Sequence, residues 1–259
     1  MTKLVEGKTA VVTGVGPGIG RSVAVLLAEH GANLALGARS ISGDSEIVSE
    51  VSSITKTIFV PTNIADADNC KALADTTAEA FGKIDILVQN AFMHGPFAGA
   101  VDTDPDDWRK VYKVNVMGTL QMIQACLPHM GEGASIVVTG SMAARTSTPS
   151  EGAYAASKAA MLSLVRTVAQ EVGARGIRAN SVLPGWVHGD SLDVYFDWIA
   201  TERGTTPQQV HDEIAQETAL RRLVTPVDIA GAILFLASDL ARGITGIALD
   251  VNSGHWMPQ

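Results

Sequence analysis

Short, almost wholly apolar runs alternate along the chain with longer segments whose apolar residues recur at helical spacing. A short continuous apolar run is typical of a strand that is buried on both faces of a parallel sheet. Seven runs are predicted as strands: Thr9–Thr13, Asn33–Gly37, Thr57–Pro61, Ile84–Gln89, Ser135–Thr139, Arg178–Leu183 and Ile247–Val251. The main predicted helices are Arg21–His30, Asp66–Phe81, Asp106–His129, Gly152–Val172 and Pro226–Ser238.

This alternation of strands and helices predicts βαβ units. Parallel strands need crossover connections, and right-handed crossovers place helices on both faces of the sheet. We therefore expect one domain over residues 1–259, an α/β Rossmann fold with a doubly wound, seven-stranded parallel sheet and helices on both faces. Ligands of such sheets bind beyond the carboxyl ends of the strands.

Residues 188–221 interrupt the alternation, because no strand is predicted there and the helical pattern is irregular. The segment contains the aromatic residues Tyr195, Phe196 and Trp198. It could be a mobile lid over an apolar substrate, or a surface helical hairpin whose aromatic side chains dock on the core. We expect a substrate lid, partly because the segment follows a strand end.

Glycine dominates the turn between the first strand and the first helix. The turn contains Gly14, Gly16, Pro17, Gly18, Ile19 and Gly20. Glycine lets the backbone adopt positive φ and approach a phosphate closely, and a helix N-terminus directs free N–H groups at the anion. A glycine-rich turn alone is a weak signal, but its position between strand and helix predicts a dinucleotide pyrophosphate site.

The end of the second predicted strand bears on which dinucleotide binds. A carboxylate there would hold the adenosine ribose 2′-hydroxyl and repel a 2′-phosphate. The sequence instead has Arg39, which can pair with a phosphate, so NADP is favoured over NAD. Arg39 could also be a solvated charge or stack on the adenine.

Tyr154 and Lys158 are four residues apart in a predicted helix and so share one helix face. A nearby ammonium favours the phenolate, and we expect Lys158 to lower the pKa of Tyr154 by roughly 1–3 units. Ser141, just after a strand, could hold a substrate oxygen. Asn115 interrupts an apolar helix, where it could bond to a backbone carbonyl or hold a water at a helix break.

Together these residues resemble the short-chain dehydrogenase/reductase family in its compact single-domain form, including members similar to 3-oxoacyl-ACP reductases. The family's TGxxxGxG motif fits residues 13–20, and its catalytic tetrad falls on Asn115, Ser141, Tyr154 and Lys158. The resemblance implies reversible hydride transfer between NADP or NAD and a secondary alcohol or ketone, of 3-oxoacyl, steroid or cyclic type. It also implies that Tyr154 is the acid/base and that Tyr154 and Lys158 contact the cofactor.

The resemblance implies further cofactor contacts. They fall on Asn63, Ile64, Asn90, Ala91, Pro184, Gly185 and Val187. Several positions depart from the family pattern: Asn63 replaces an adenine-contacting Asp, Phe92 replaces a glycine beside the cofactor, and Gly189 replaces a threonine. Contacts to the nicotinamide carboxamide would then come from backbone, including that of Val187.

The substrate pocket is expected to be apolar, and its identity stays open. Its predicted members are Phe92, Met93, His94, Ser141, Trp186, His188 and Tyr195. The histidines at 94 and 188 follow strand ends, but they could equally be solvent-facing loop residues.

The overall composition and charge limit which binding partners and which kinds of site are expected. The net charge of −8 and the lack of a basic cluster argue against nucleic acid or an anionic membrane as partner. Two cysteines and scattered histidines form no metal motif, and no apolar run predicts a signal or a membrane span. We expect a cytoplasmic enzyme with a small-molecule substrate and no metal, and the family implies a homotetramer. The alternative is a non-catalytic dinucleotide-binding regulator or scaffold on the same fold.

Overall fold

The sheet has the strand order β3-β2-β1-β4-β5-β6-β7, and every neighbouring pair is parallel. The computed structural model describes residues 2–146 and 149–257. Its strands are β1 (Thr9–Thr13), β2 (Asn33–Ala38), β3 (Thr57–Pro61), β4 (Ile86–Gln89), β5 (Ser135–Thr139), β6 (Arg178–Pro184) and β7 (Ala248–Val251). The predicted seven-stranded parallel sheet is confirmed, with strand ends that shift by at most two residues.

Helices cover both faces of this sheet. They are α1 (Ile19–Glu29), α2 (Glu46–Ile54), α3 (Ala67–Phe81), α4 (Pro105–Tyr112), α5 (Thr119–Cys126), α6 (Gly152–Val172), α7 (Asp190–Arg203), α8 (Pro207–Glu217) and α9 (Pro226–Ala237). One buried cluster joins the sheet to α1, α2 and α9, and a second joins the opposite face to α3, α5 and α6. The doubly wound arrangement is therefore confirmed, although α2 had not been predicted.

The predicted helical stretch over Asp106–His129 is present from Pro105 to His129, but its hydrogen-bonding pattern changes along its length. A π-helical segment, Lys113–Gly118, separates α4 from α5, and a 3-10 turn, Leu127–His129, follows α5. π-Segments inside helices often occur at functional sites. This one contains Asn115, so the α-helical hydrogen-bonding pattern, although not the helix itself, breaks at the residue that interrupts the apolar pattern.

The strand order runs outward from β1 to both sides of the sheet, because β2 lies on one side of β1 and β4 on the other. This reversal of strand order is the point at which doubly wound sheets bind ligands. The register pairs Thr13, at the end of β1, with Gln89, at the end of β4. Both residues therefore border the crevice that follows the carboxyl ends of these strands.

Residues 188–221 fold largely into α7 and α8, which pack against each other as a helical hairpin. The hairpin has a small apolar cluster of its own, in which Phe196, Ala200 and Val210 are buried. None of the helices within residues 2–146 and 149–257 combines the length and apolarity needed to cross a bilayer.

Candidate active site

The loop after β1 is shaped by glycines that serve two different purposes. Gly14 has φ +66°, and a Cβ built on it would lie 2.5 Å from the backbone N and Cα of Ala91. Gly16 and Gly18 instead face open space, because a Cβ on either meets no described atom within 4 Å. Gly14 therefore lets two loops pack closely, whereas Gly16 and Gly18 leave a smooth backbone surface.

This surface fits the pyrophosphate of a dinucleotide. Gly18 begins α1 with φ 90°, and no side chain among the described residues caps the helix. The first N–H groups of α1 are thus directed into the crevice together with the positive end of the helix dipole. Ile19 packs on the apolar cluster beneath α1, and the ring of Pro17 lies between the two open glycines.

Side-chain hydrogen bonds fix the glycine loop to the end of β4. The Thr13 hydroxyl donates to the side-chain carbonyl of Gln89 and accepts from the backbone N–H of Asn90 at 3.2 Å. Asn90 Nδ2 in turn donates to the Gly14 carbonyl oxygen at 3.0 Å. Asn90, which is predicted as a cofactor contact, therefore also holds the glycine loop in place.

The residues predicted for the adenosine end lie at the ends of β2 and β3. Arg39 directly follows β2 and is exposed to solvent. Asn63 follows β3, and its side-chain oxygen accepts from the Ala65 N–H at 3.2 Å. Ile64 is buried against Gly118 of the π-segment, so its side chain supports the crevice from below.

The Asn115 side chain connects three parts of the site. Its Oδ1 accepts from the Met93 N–H at 2.7 Å, and its Nδ2 donates to the Met93 carbonyl at 2.8 Å and to Ser157 Oγ at 2.9 Å. The Ser157 hydroxyl then donates to the Tyr154 carbonyl at 2.7 Å. Asn115 therefore ties the loop after β4 to the helix that carries Tyr154, rather than bonding back within its own helix.

Tyr154, Lys158 and Ser141 come together beyond the end of β5. Ser141 caps a 3-10 turn, Met142–Ala144, and its Oγ accepts from the Ala143 N–H at 3.1 Å. A hydrogen bond between Ser141 and the Tyr154 phenol also contributes to the pKa of the phenol, which it lowers. The Lys158 Nζ lies 5.5 Å from the centre of the Tyr154 ring and donates to the Thr139 carbonyl at 2.8 Å.

Burial controls the charge of both groups. Lys158 is 1% exposed, and desolvation lowers its pKa from 10.5 to about 7. Burial of the Tyr154 phenol, assisted by the negative charge of Glu151, raises its pKa to about 12 against the opposing hydrogen bond from Ser141. The expected lowering of the Tyr154 pKa by Lys158 is therefore wrong for this structure. Lys158 is buried and Tyr154 is half-buried, and the reduced contact with water favours the neutral form of each side chain.

The turn after β6 forms another wall of the crevice. Gly185 lies against Asn252, where a Cβ would come within 2.7 Å of the asparagine Cβ. Val187 forms a parallel bridge with Val224, in which the bonds run from His188 N–H to Val224 and from Val224 N–H to Trp186. The N–H and C=O of Val187 itself point to the opposite side in such a bridge, as a backbone contact to the carboxamide would require.

Five rings form an aromatic wall beside Tyr154: Phe92, His94, Phe97, Tyr195 and Trp198. His94 stacks on Tyr154 with ring centres 4.6 Å apart. Met93 lies in the same loop, partly exposed, and Trp186 stacks on Tyr195 at 5.2 Å. His188 differs from the other predicted pocket residues, because its ring packs on His211 of α8 at 5.2 Å.

Several site residues were missed by the sequence analysis. Four side chains that were not predicted contact the site or its glycine loop from positions distant in sequence. They are Gln89 on Thr13, Phe97 on Tyr195, Glu151 on His94 and Ser157 on Asn115. Only Ser157 carried a local signal, because it lies between Tyr154 and Lys158 in the helix. The other three contacts depend on how loops meet in the folded chain.

Comparison with known proteins shows which family of proteins this chain is similar to. A family model described as enoyl-(acyl carrier protein) reductase matches residues 14–255. L-Rhamnose 1-dehydrogenase (NAD(P)(+)) of Sphingomonas sp. is 36% identical over 260 residues, with 98% of each chain covered. The 3-oxoacyl-(acyl-carrier-protein) reductase FabG of Staphylococcus aureus is 32% identical over 254 residues, covering 96% of this chain and 98% of the relative.

A solved structure of a related protein has the same fold as this chain. Carveol dehydrogenase from Mycobacterium avium in complex with NAD matches with a TM-score of 0.91 at 29% identity, covering 98% of this chain and 99% of that one. These matches include the glycine loop, the helix of Tyr154 and the final strand.

Proposed function

Since this chain belongs to the short-chain dehydrogenase/reductase family of NAD(P)-dependent oxidoreductases, we propose that it interconverts a secondary alcohol and a ketone with Tyr154 as the acid/base. The observation that carries the proposal is the meeting of the Ser141 hydroxyl, the Tyr154 phenol and the buried Lys158 ammonium beside the glycine-loop crevice. A module that only bound a dinucleotide would not need these three groups together.

The bound nicotinamide would supply hydride exchange at its C4 atom. The chain's own part is to hold the substrate oxygen and to move one proton. The Ala143 N–H donates to Ser141 Oγ, and the Ser141 hydroxyl proton, which is directed at the Tyr154 phenol, would turn to the substrate oxygen when a substrate binds. Tyr154 lies beside it and exchanges its phenolic proton with the same oxygen.

The direction of proton transfer follows from the state of the two buried groups. A Tyr154 pKa of about 12 keeps the phenol protonated near neutral pH, which suits donation to a carbonyl oxygen. Lys158, with a pKa of about 7, can accept or lose a proton under the same conditions. We therefore propose that Tyr154 donates its proton when a ketone is reduced and takes one up when an alcohol is oxidised, with Lys158 helping to return a proton to Tyr154. Asn115 holds the helix of Tyr154 in position through Ser157.

Replacement of Tyr154 by Phe tests the assignment. It removes only the phenolic oxygen, so turnover of any ketone or alcohol should fall by at least about a hundredfold, the typical contribution of a positioned acid/base. Nucleotide affinity, measured by fluorescence titration, should change little. Normal turnover in Tyr154→Phe would refute the role of Tyr154. Nucleotide binding without turnover in the native chain would favour the non-catalytic alternative.

We also propose NADP as the preferred cofactor. The proposal is supported by the exposed Arg39 at the end of β2, where no carboxylate occupies the strand end. Arg39→Ala should raise KM for NADP about tenfold and alter KM for NAD far less, because one charge-assisted phosphate contact is lost. Arg21→Ala is the matched control, since Arg21 is already paired with Glu50. A native preference for NAD would contradict the proposal.

A homotetramer acting in the cytoplasm completes the proposal. The tetrameric assembly is supported by exposed apolar side chains on the elements through which the family associates, Met117 of the π-segment and Val227 of α9. Sedimentation equilibrium measures the mass directly, and a monomer at micromolar concentration would contradict this part.

A further inference from the structure

Large apolar side chains are concentrated at the surface next to Tyr154. Phe92 is 53% exposed, Phe97 41% and Trp198 37%. The first two lie in the loop after β4, whereas Trp198 lies in α7, so separate elements present them to one crevice. Exposed apolar patches of this kind usually mark a binding surface.

The aromatic wall is continuous from the reacting phenol to the hairpin. His94 contacts Tyr154 at 4.6 Å and Phe97 at 4.3 Å between ring centres. Phe97 then stacks on Trp198 at 5.5 Å with an interplanar angle of 16°. A molecule whose reacting carbon lies at Tyr154 would therefore have its remaining body against ring faces.

Charges near the wall disfavour an anionic substrate. Glu151 lies 3.8 Å from the His94 Nε2, and it is also one of the charged groups that act on Tyr195. The other is Arg203, which is already paired with Glu213 at 3.3 Å. A phosphate-bearing carrier such as an acyl thioester of coenzyme A would meet a carboxylate here and a cation that is already paired.

The aromatic wall carries few hydrogen-bonding groups for its area. His94 and Glu151 lie beside Tyr154, and the far end adds the Tyr195 phenol and the Trp198 indole N–H. A polyol needs a hydrogen-bonding partner for each buried hydroxyl, since an unpaired one costs binding energy. A flat ring needs only an apolar face on which to stack.

We propose that the preferred substrate is an uncharged, ring-bearing ketone or alcohol whose apolar ring system lies on the aromatic wall. This proposal rests on the proposed oxidoreductase function and specifies its substrate class. The carbonyl or carbinol of the ring meets Tyr154 and Ser141, and the rest of the ring system extends toward Phe97 and Trp198.

Specificity ratios test the proposal. Four probes are compared under the same conditions: tetralol, isopropanol, L-rhamnose and a β-hydroxyacyl coenzyme A thioester, each oxidised with NADP or NAD. We expect kcat/KM for tetralol to exceed that for isopropanol by about a hundredfold, the value of burying one apolar ring system. The values of kcat/KM for L-rhamnose and for the anionic thioester should be lower than the value for tetralol.

Variants of the wall separate stacking from general effects. Phe97→Ala and, independently, Trp198→Leu should lower the tetralol-to-isopropanol ratio about tenfold through a higher KM for tetralol. Ile54→Ala is the matched control, because Ile54 is an equally exposed apolar residue, at 41%, on α2. The tetralol-to-isopropanol ratio of kcat/KM in Ile54→Ala should equal the ratio in the native chain.

The outcomes distinguish a failure of the proposed function from a failure of the proposed substrate class. If the native chain turns over none of the four probes with either nucleotide, the proposed function and the substrate class both fail. If L-rhamnose, the thioester or isopropanol is preferred to tetralol, the function stands and the substrate class is overturned. An unchanged ratio in both Phe97→Ala and Trp198→Leu would likewise overturn it.

Discussion

The buried Lys158 ammonium should make the stability of this protein depend on pH in a defined way. The Lys158 side chain is 1% exposed, and its one hydrogen bond goes to the Thr139 carbonyl at 2.8 Å. Among the described residues no carboxylate lies within ion-pair distance of it. Lys158→Met removes the titrating group while keeping an unbranched side chain of similar length.

The sign and size of the effect follow from the two pKa values. The amine binds its proton with a pKa of 10.5 when exposed and about 7 in the folded chain, so between these values the unfolded state holds more protons. Stability therefore rises with pH through this window, by about 1.4 kcal/mol per unit where the difference is one proton. Integrated from pH 7 to pH 9, the native chain should gain about 2 kcal/mol relative to Lys158→Met.

Urea unfolding at several pH values between 6 and 9 measures this difference, with protein concentration held constant and no nucleotide added. Titrating groups that both chains share contribute equally to the pH dependence of the unfolding free energy, so their contributions cancel in the difference. Lys71→Met is the control. Lys71 is fully exposed and Asp75 raises its pKa above 10.5, so Lys71 stays protonated from pH 6 to 9 in both the folded and the unfolded chain. The stability difference between the native chain and Lys71→Met should therefore not change with pH in this range. A stability difference between the native chain and Lys158→Met that stays constant from pH 7 to pH 9 would refute the buried-amine argument.

Two further predictions concern the loops that frame the site. Gly14→Ala should lower the free energy of unfolding by roughly 2–4 kcal/mol, because its Cβ would overlap the Ala91 backbone at a positive φ. Gly16→Ala, which meets no neighbouring atom, should weaken nucleotide binding and leave stability nearly unchanged, and equal destabilisation of both variants would contradict this distinction. Asn115→Leu should cost about 3 kcal/mol in urea unfolding, since it leaves the Met93 N–H and carbonyl without their partner. A loss below about 0.5 kcal/mol, the size of a surface substitution, would show that these bonds are replaced at no cost.

Local signals in the chain were sufficient to predict most of the fold. A buried strand in a parallel sheet is apolar along its whole length, so runs such as Thr9–Thr13 and Ser135–Thr139 were found with their bounds unchanged. Helix α2 was missed, although Ser45 caps its N-terminus by accepting from the Val48 N–H. It is nine residues long and buries only Val48 and Val51, which is too little apolar periodicity to detect.

The candidate site was predictable where spacing within one element decides the geometry. Four residues along a helix place Tyr154 and Lys158 on one face in any environment. The break at Asn115 was also detectable, because a polar residue interrupted an apolar helix. The partners of Asn115 could not be predicted, since Met93 and Ser157 reach it from a loop and from another helix.

Local patterns in the chain were enough to predict the order of the elements, the glycine turn between β1 and α1, and the residue types proposed for the site. These depend on short-range rules of backbone sterics and side-chain spacing. The shifts in the pKa values of Tyr154 and Lys158 could be found only from the folded chain, because a pKa depends on which groups exclude water from the side chain. The tertiary structure also decided the aromatic wall, in which Phe97 meets Tyr195 and Trp198 across about a hundred residues of chain. Contacts at such a separation are set by the packing of the whole fold, and no local pattern encodes them.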